Sequence, residues 1–253
     1  MTPCCIAHRG ASAEAPENTL RAFERALAVG AEGIELDVQV TRDGVPVVFH
    51  DSTLTRLTGA QGRITDLTLS EIMEFRIQGE PIPTLSDALA ATRECAVLQI
   101  EIKKDVPVAP VLEAIRRTPS TGQIILASFE ISILSETAAL APHLPRMLIA
   151  DAPAGIRAPT AVALSLLHTM TSVGGSGISV CHRVIRSPLF VEMVHRHGAL
   201  LWCWTVNDPR TMRRLRAYGV DGILSDDPAK LVRTLRGNTS GGSGLFVTET
   251  AGA

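Results

Sequence analysis

The sequence is poor in aromatic residues and contains no long apolar segment. Only 4% of its 253 residues are Phe, Trp or Tyr. No apolar run approaches the roughly 18 residues that a membrane-spanning helix needs, and His8 and Arg9 interrupt the N-terminus before the apolar core of a signal peptide could form. We therefore expect a cytoplasmic protein without stable membrane insertion.

Features typical of disulfide-rich and nucleic-acid-binding proteins are also missing. The five cysteines are an odd number and include no Cys-x-x-Cys pair, so we expect buried, reduced thiols and no disulfide framework. The 24 Lys and Arg residues nearly balance the 26 Asp and Glu residues, and no five like charges are consecutive. With a net charge of -2, we expect no general attraction to nucleic acid.

Short apolar runs alternate along the chain with segments of helical periodicity, which is typical of a parallel α/β fold. Eight runs have the composition of buried strands: residues 4–8, 33–38, 97–103, 124–129, 146–150, 177–181, 199–206 and 222–226. The intervening helical segments include residues 19–29, 110–117, 188–197, 209–218 and 228–235. Three of these helices begin with proline after Ser or Asp, which is a helix-start signal.

Eight strand and helix units in a chain of this length predict a (β/α)8 TIM barrel, whose usual size is about 250 residues, in preference to a doubly wound sheet. The second and third runs start 64 residues apart, about twice the usual spacing here, which indicates a small insertion after the second strand at about residues 45–83. We expect one catalytic domain over residues 1–236 and a flexible tail over residues 237–253. The fifth unit, residues 146–168, has the weakest periodicity.

Acidic residues gather at the predicted carboxyl ends of the strands. Glu35 and Asp37 are two residues apart, as are Glu101 and Lys103, so each pair points to one side of its strand. In a barrel both pairs point toward the axis at the catalytic end. Three converging carboxylates suit a hard divalent cation, Mg²⁺ or Ca²⁺, better than zinc. The spacing equally allows an ion network in which the carboxylates pair with Lys103 and Arg9.

Two histidines and several other side chains are predicted to lie at the same mouth. His8 follows the first strand and His50 begins the insertion, and with pKa values near 6.5 the two suit general acid and base catalysis. Arg9 and Lys103 could hold phosphate oxygens or pair with carboxylates. Trp204 could pack against a glycerol or alkyl group, or fill the barrel core.

Motifs spread in order from residue 8 to about residue 228 resemble those of the glycerophosphodiester phosphodiesterases. The opening motif is His8-Arg9-Gly10 with Pro16-Glu17-Asn18-Thr19, and the second block is Glu35-Leu36-Asp37-Val38, Thr41-Arg42-Asp43-Gly44 and Val47-Val48-Phe49-His50-Asp51. Later matches are Ile82-Pro83-Thr84-Leu85, Glu101-Ile102-Lys103, Ser128-Phe129, Trp204-Thr205-Val206-Asn207 and Gly219-Val220-Asp221-Gly222-Ile223-Leu224-Ser225-Asp226. Each string is short, and their joint order carries the resemblance. Residues 141–177 match no motif.

The resemblance implies a metal-dependent hydrolase that converts glycerophosphodiesters, such as glycerophosphocholine, to glycerol 3-phosphate and an alcohol, in glycerol and lipid metabolism. It implies these residue roles: His8 and His50 in proton transfer, Glu35, Asp37 and Glu101 in binding one Mg²⁺ or Ca²⁺ ion, and Arg9 and Lys103 in binding phosphate. Within the opening motif, Asn18 could cap the first helix or take a direct part in the chemistry, and we expect the cap.

Two other functions remain open on the sequence alone. A lysophospholipase D or sphingomyelinase D-like phosphodiesterase would share the barrel, the metal and the histidines, but it needs an apolar rim for acyl chains. No aromatic or aliphatic surface loop of that kind is evident in the sequence. A barrel that binds phosphodiesters without catalysis is disfavoured by the complete set of His8, His50, Glu35, Asp37 and Glu101.

Overall fold

The computed structural model describes residues 2–118, 122–151 and 158–237. In chain order the elements are β1 (Cys4–His8), α1 (Leu20–Ala28), β2 (Gly33–Val40), β3 (Pro46–Val48), α2 (Thr55–Thr58), a 3-10 helix (Ile64–Asp66), α3 (Leu69–Ile72), β4 (Arg76–Ile77), β5 (Glu80–Pro81), α4 (Leu85–Ala91), β6 (Val97–Ile102), α5 (Val108–Arg117), β7 (Gln123–Ser128), α6 (Ile131–Leu140), β8 (Arg146–Ala150), α7 (Pro159–Ser172), β9 (Gly177–Cys181), a second 3-10 helix (His182–Val184), α8 (Pro188–Arg196), β10 (Leu200–Trp204), α9 (Pro209–Tyr218), β11 (Gly222–Ser225) and α10 (Pro228–Arg236). Within these ranges, no helix combines the length and the apolar character that crossing a bilayer requires.

Eight parallel strands form a closed barrel: β1, β2, β6, β7, β8, β9, β10 and β11. The sheet closes because β1 pairs with both β2 and β11. The predicted TIM barrel is confirmed, and each of the eight predicted strands coincides with a barrel strand to within a few residues. The predicted helices are also present, and residues 209–218 match α9 at both ends.

The alternation of side chains along each strand separates an inner layer from an outer layer. Leu36 of β2 and Ile102 of β6 belong to the outer layer, among the residues that helices cover. Ile6, Ile125 and Trp202 belong to the inner layer that fills the barrel. The predicted outward direction of Leu36 and Ile102 is therefore confirmed, and the residues on either side of them point inward.

The proline-led helices differ in how they are capped. The Asp208 side chain accepts a hydrogen bond from Thr211 N at the start of α9, and Asp227 does the same for Lys230 N at the start of α10. Ser187 precedes Pro188 at the start of α8, but its hydroxyl makes no such bond among the described residues. All three helices therefore begin with proline, but only α9 and α10 also have a preceding side chain that caps the helix.

The segment without motifs, residues 141–177, contains β8 and α7. Five residues of α7 are buried: Val162, Ala163, Leu166, Leu167 and Met170. Leu164 lies on the same helix and is exposed, so apolar residues occur on both faces and weaken the helical pattern. Residues 152–157 of this segment, and residues 238–253 of the predicted tail, lie outside the described residues.

The residues between β2 and β6 return the chain to the mouth of the barrel. β3 pairs antiparallel with β2, and Phe49 N donates a hydrogen bond of 2.9 Å to Asp37 O. A small separate core holds the segment together: Val47, Phe49, Leu54, Ile64, Ile72, Ile77 and Ile82. This packing fixes His50, which follows Phe49, beside the carboxyl end of β2.

The opposite end of the barrel is held by a buried arginine. Arg146, the first residue of β8, donates hydrogen bonds from Nη1 to Leu144 O at 2.7 Å and from Nη2 to Gly174 O at 2.8 Å. Leu144 lies in the loop before β8, and Gly174 lies in the loop before β9. The guanidinium therefore joins two neighbouring loops. Because the guanidinium of the buried Arg146 donates to carbonyl groups of two loops, it contributes to stability through polar contacts as well as through packing.

We predict that Arg146→Met destabilises the protein without affecting the catalytic end. Removing the donors breaks the hydrogen bonds that join the two loops and leaves partly buried carbonyl groups without a partner, so the free energy of unfolding should fall by about 2–4 kcal/mol. Urea denaturation measures this loss. Arg213→Met, at an exposed position of α9, is the matched control and should leave the unfolding midpoint unchanged. Equal midpoints for both variants would contradict the role of Arg146.

Candidate active site

Three carboxylates from two neighbouring strands converge at the mouth of the barrel. Glu35 and Asp37 lie on β2, where Glu35 is in register with His8 at the end of β1, and Glu101 lies on β6 directly opposite Asp37. One oxygen of each lies within 4.8 Å of the others. Glu35 is 3% exposed, Asp37 1% and Glu101 8%, so the three negative charges are buried together. The sequence predicts this convergence, because both strands carry their acids at inward-facing positions.

Two cations and one amide surround Asp37. Lys103 Nζ lies 2.7 Å from Asp37 Oδ1 and also contacts Glu101 Oε1, while Arg9 Nε lies 3.1 Å from Asp37 Oδ2. Asn18 Nδ2 donates a hydrogen bond of 2.8 Å to Asp37 Oδ2. The expectation that Asn18 caps α1 is wrong, because Thr19 occupies the capping position and accepts from Ala22 N. Asn18 instead adopts a left-handed backbone with φ of 59° that turns its amide toward Asp37.

The surroundings push the pKa values of the carboxyls in opposite directions. Burial, together with the nearby charge of Asp37, raises the pKa of Glu35 to about 8. Burial and Asp37 also raise the pKa of Glu101. Burial acts on Asp37 in the same sense, but Lys103 and Arg9 outweigh it and lower the pKa of Asp37. Lys103 and Arg9 thus keep Asp37 ionised, whereas Glu35 and Glu101 hold their protons more tightly than ordinary carboxyl groups.

His8, at the end of β1, is oriented by a carboxylate from the last barrel strand. Its Nδ1 lies 2.7 Å from Asp226 Oδ1, and its Nε2 lies 3.9 Å from Glu35 Oε2. Asn207 Nδ2 donates to Asp226 Oδ2 at 2.7 Å, and the Ser225 hydroxyl donates to Asn207 Oδ1 at 2.9 Å. Burial lowers the pKa of His8, but Asp226 and Glu35 more than compensate, so the net shift is upward.

The tight turn after His8 is formed by two residues with a left-handed backbone, Arg9 and Gly10. Arg9 and Gly10 both have positive φ, 58° and 81°. A Cβ on Gly10 would lie 2.7 Å from the backbone of Ala22 in α1, which is closer than such atoms approach. The tight turn directs the Arg9 guanidinium back over Asp37.

His50 has a carboxylate partner next to it in the chain. Its Nδ1 lies 2.5 Å from Asp51 Oδ1, and Asp51 Oδ2 accepts a hydrogen bond of 2.6 Å from Arg56 Nε. Burial, with the charges of Lys103 and Arg9, lowers the pKa of His50, although Asp37 acts in the opposite direction. Both histidines thus use Nδ1 to bind a carboxylate, which leaves Nε2 to face the cavity.

A chain of ion pairs links the two histidine loops. Arg56 donates to both oxygens of Glu17, from Nη1 at 2.9 Å and from Nη2 at 2.8 Å. Glu17 also accepts from Arg9 Nη1 at 2.8 Å. Because Arg56 binds Asp51 as well, the loop after β1 and the segment that carries His50 are held together.

A cavity of about 150 Å³ lies at the carboxylates. Seven of the eight predicted site residues line it: His8, Arg9, Glu35, His50, Glu101, Lys103 and Trp204. The eighth, Asp37, lies beneath Arg9 and Lys103. Trp204 Nε1 donates to Ser179 O at 3.1 Å, and the ring packs edge to face against Phe129 at 5.8 Å.

Sequence reasoning missed several residues that support this cavity. Asp51, Asp226 and Asn207 belong to the family motifs given above. Asp226 follows β11, the strand next to β1, and this position indicates that its side chain can reach His8. Gln99 and Ser179 also line the cavity and were overlooked. Gln99 stands two residues before Glu101, so strand alternation alone could have identified it as inward-facing.

Comparison with known proteins agrees with this architecture. The model of the glycerophosphoryl diester phosphodiesterase family matches residues 8–230. The glycerophosphodiester phosphodiesterase of Caldanaerobacter subterraneus is 36% identical over 93% of this chain and 99% of its own. An Oleispira antarctica phosphodiesterase in complex with the product sn-glycerol 3-phosphate superimposes with a TM-score of 0.83 at 27% identity, covering 92% of this chain and 96% of that one. The glycerophosphodiester phosphodiesterase of Thermotoga maritima gives 0.78 at 28% identity, with 92% and 98% coverage. The chain therefore belongs to the glycerophosphoryl diester phosphodiesterase family and is an enzyme of the glycerophosphodiester phosphodiesterase class.

Proposed function

We propose that this enzyme hydrolyses small glycerophosphodiesters, such as glycerophosphocholine, to sn-glycerol 3-phosphate and an alcohol, with the aid of one Mg²⁺ or Ca²⁺ ion. One observation supports this proposal above all. Oxygens of three carboxylates lie within 4.8 Å of one another at a cavity, and two imidazoles that each bind a carboxylate line the same cavity. The product seen in the Oleispira antarctica phosphodiesterase supports the same substrate class.

The carboxylate cluster fits a hard divalent cation. Its donors are three oxygens from Glu35, Asp37 and Glu101, with no thiolate or imidazole among them. Arg9 and Lys103 pair directly with Asp37, but Arg9 also pairs with Glu17, and Glu35 has the more distant imidazole of His8 at 3.9 Å. A divalent ion would remove the remaining repulsion. When bound, it supplies a Lewis acid that draws negative charge away from the phosphate.

Arg9 and Lys103 bind the phosphate group in this proposal. The Lys103 ammonium has three donors, and its two carboxylate partners occupy two of them. Arg9 uses Nε and Nη1 for Asp37 and Glu17, which leaves Nη2 for a phosphate oxygen. Trp204 forms the apolar wall of the same cavity. Charge that develops on the phosphate is thereby met by cations already held in place.

The two histidines divide the proton transfers. His8 lies near two carboxylates, Asp226 and Glu35, whereas the carboxylate that the His50 imidazole contacts, Asp51, also binds Arg56. His8 therefore holds its proton more tightly, in agreement with the opposite shifts of the two pKa values. His50 Nε2 takes a proton from the attacking water molecule as the water oxygen forms its bond to phosphorus. The phosphorus to oxygen bond of the alcohol breaks, and His8 Nε2 protonates the departing oxygen.

A lysophospholipase D activity is the second candidate. Phe129 is 46% exposed and Ile131 49%, and Phe129 packs on Trp204 at the cavity mouth. This gives the mouth a small apolar rim that an acyl chain could contact. A comparison of the rates on glycerophosphocholine and lysophosphatidylcholine separates the two, and we expect the former to be the faster.

We predict that His8→Ala and His50→Ala each lower kcat by roughly 10² to 10⁴-fold, because each removes one proton transfer. Circular dichroism should remain native. His143→Ala, at an exposed position at the opposite end of the barrel, is the control and should retain full turnover. Near-normal activity in either site variant would contradict the assigned roles.

We predict that metal removal stops turnover. Dialysis against EDTA should abolish hydrolysis, and Mg²⁺ or Ca²⁺ should restore it. The same ions should raise the Tm of the wild-type protein, since they relieve repulsion among the carboxylates. Glu35→Gln should lose this rise in Tm, whereas Glu136→Gln, at an exposed position of α6, should keep it. Full activity after EDTA treatment would exclude the metal.

We predict that Asp226→Asn lowers kcat by about 10²-fold or more and leaves KM nearly unchanged. Asparagine keeps the shape of the side chain but no longer stabilises the proton on His8 Nδ1, so the imidazole loses its orientation and its charge partner. Asp227→Asn is the neighbouring control, because asparagine can also cap α10. Equal kcat values for the two variants would contradict the orienting role of Asp226.

A further inference from the structure

Two uncharged polar side chains line the cavity beside the carboxylates. Gln99 of β6 stands two residues before Glu101 on the same inward face, which places it about 7 Å further down the strand. Its partner in register on β2 is Glu35. Ser179 points inward from β9, and both residues line the cavity that contains Glu35 and Glu101. We call Gln99 and Ser179 the polar floor.

The polar floor is buried and unsatisfied. Each residue is 1% exposed. Neither Oε1 nor Nε2 of Gln99, nor Oγ of Ser179, has a hydrogen-bond partner among the described residues. Their neighbours along the cavity wall include the apolar side chains of Ile149 and Leu224. Buried polar side chains nearly always have a partner, so these open donors and acceptors indicate a polar group that enters the cavity from above.

The chemistry of the polar floor selects the kind of group. An amide and a hydroxyl both donate and accept hydrogen bonds and carry no charge. A phosphate would lie against the carboxyl group of Glu35, which is in register with Gln99, and a quaternary ammonium group can neither donate nor accept a hydrogen bond. An alcohol hydroxyl, which also donates and accepts, matches the polar floor without any cost in unpaired charge.

We infer that the polar floor binds a hydroxyl group of the substrate's glycerol arm. This inference rests on the proposed function and adds an orientation to it. The diester enters with its glycerol end first, the phosphate stops at the level of Lys103 and Arg9, and the alcohol head group remains at the mouth beside Phe129 and Trp204. Selection for glycerol then occurs in the barrel, whereas the head group meets a half-exposed rim.

The test uses two phosphate monoesters as competitive inhibitors of glycerophosphocholine hydrolysis. sn-Glycerol 3-phosphate and n-propyl phosphate have the same charge and the same number of carbons, but only the first carries hydroxyl groups. Gln99→Leu should weaken inhibition by sn-glycerol 3-phosphate about tenfold and inhibition by n-propyl phosphate less than twofold, because only the first loses a buried hydrogen bond. Ser179→Ala should shift the same ratio in the same direction.

Stability and a matched control separate this role from a structural one. Gln99→Leu should unfold at a temperature no lower than the wild-type protein, because its amide has no bond within the described chain to lose. Thr137→Val removes a buried hydroxyl on α6 that donates to Leu134 O at 2.8 Å, away from the cavity. That control should leave the inhibition ratio unchanged. If Gln99→Leu does not fold, the ratio measured with Ser179→Ala decides.

The outcomes distinguish this inference from the proposed function. A wild-type protein that hydrolyses no glycerophosphodiester would overturn the proposed function, and the polar floor assignment with it. A wild-type protein that is active, together with variants that bind both monoesters as the wild type does or weaken both equally, would overturn the polar floor alone. In that case the two side chains hold water and do not select the substrate.

Discussion

The burial of three carboxylates at the ends of β2 and β6 is the constraint on which the rest of the site depends. Like charges this close repel one another in a medium that screens them poorly, so the fold must supply opposite charge. Asp37 receives most of it, from Lys103 at 2.7 Å and Arg9 at 3.1 Å. Glu35 receives little, and its pKa rises to about 8. The fold thus keeps one part of the cluster ionised and leaves another part available to an added cation.

Catalytic orientation follows from the same need for paired charge. The carboxylates of Asp226 and Asp51 each bind a histidine at Nδ1, and each is itself held by further donors, Asn207 in one case and Arg56 in the other. These supports come from different loops at one end of the barrel. Rigid strands set the spacing, while ion pairs and amides set the angle of each ring.

The sequence predicts the features of this protein that depend on local order. Strand alternation places Glu35, Asp37 and Glu101 on one side, and the spacing of eight apolar runs gives the barrel. Contacts between distant residues are harder to predict. His8 and Asp226 are 218 residues apart, and their contact exists because β1 closes the sheet against β11. The role of Asn18 is hard to predict for a related reason. Its left-handed backbone and its hydrogen bond to Asp37 depend on the packing of α1 against the barrel.

Charged and uncharged side chains occupy different parts of the cavity wall, and this division has a consequence for specificity. Arg9 and Lys103 can attract any phosphate ester, because they respond mainly to negative charge. The uncharged part of the wall is polar at Gln99 and Ser179, and apolar at Ile149 and Leu224. A buried amide distinguishes a hydroxyl from a methylene more sharply than a cation does, because an unpaired buried amide has no water to replace the missing partner. Affinity for phosphate and selection for glycerol would then reside in separate groups of side chains, so that either could change without the other.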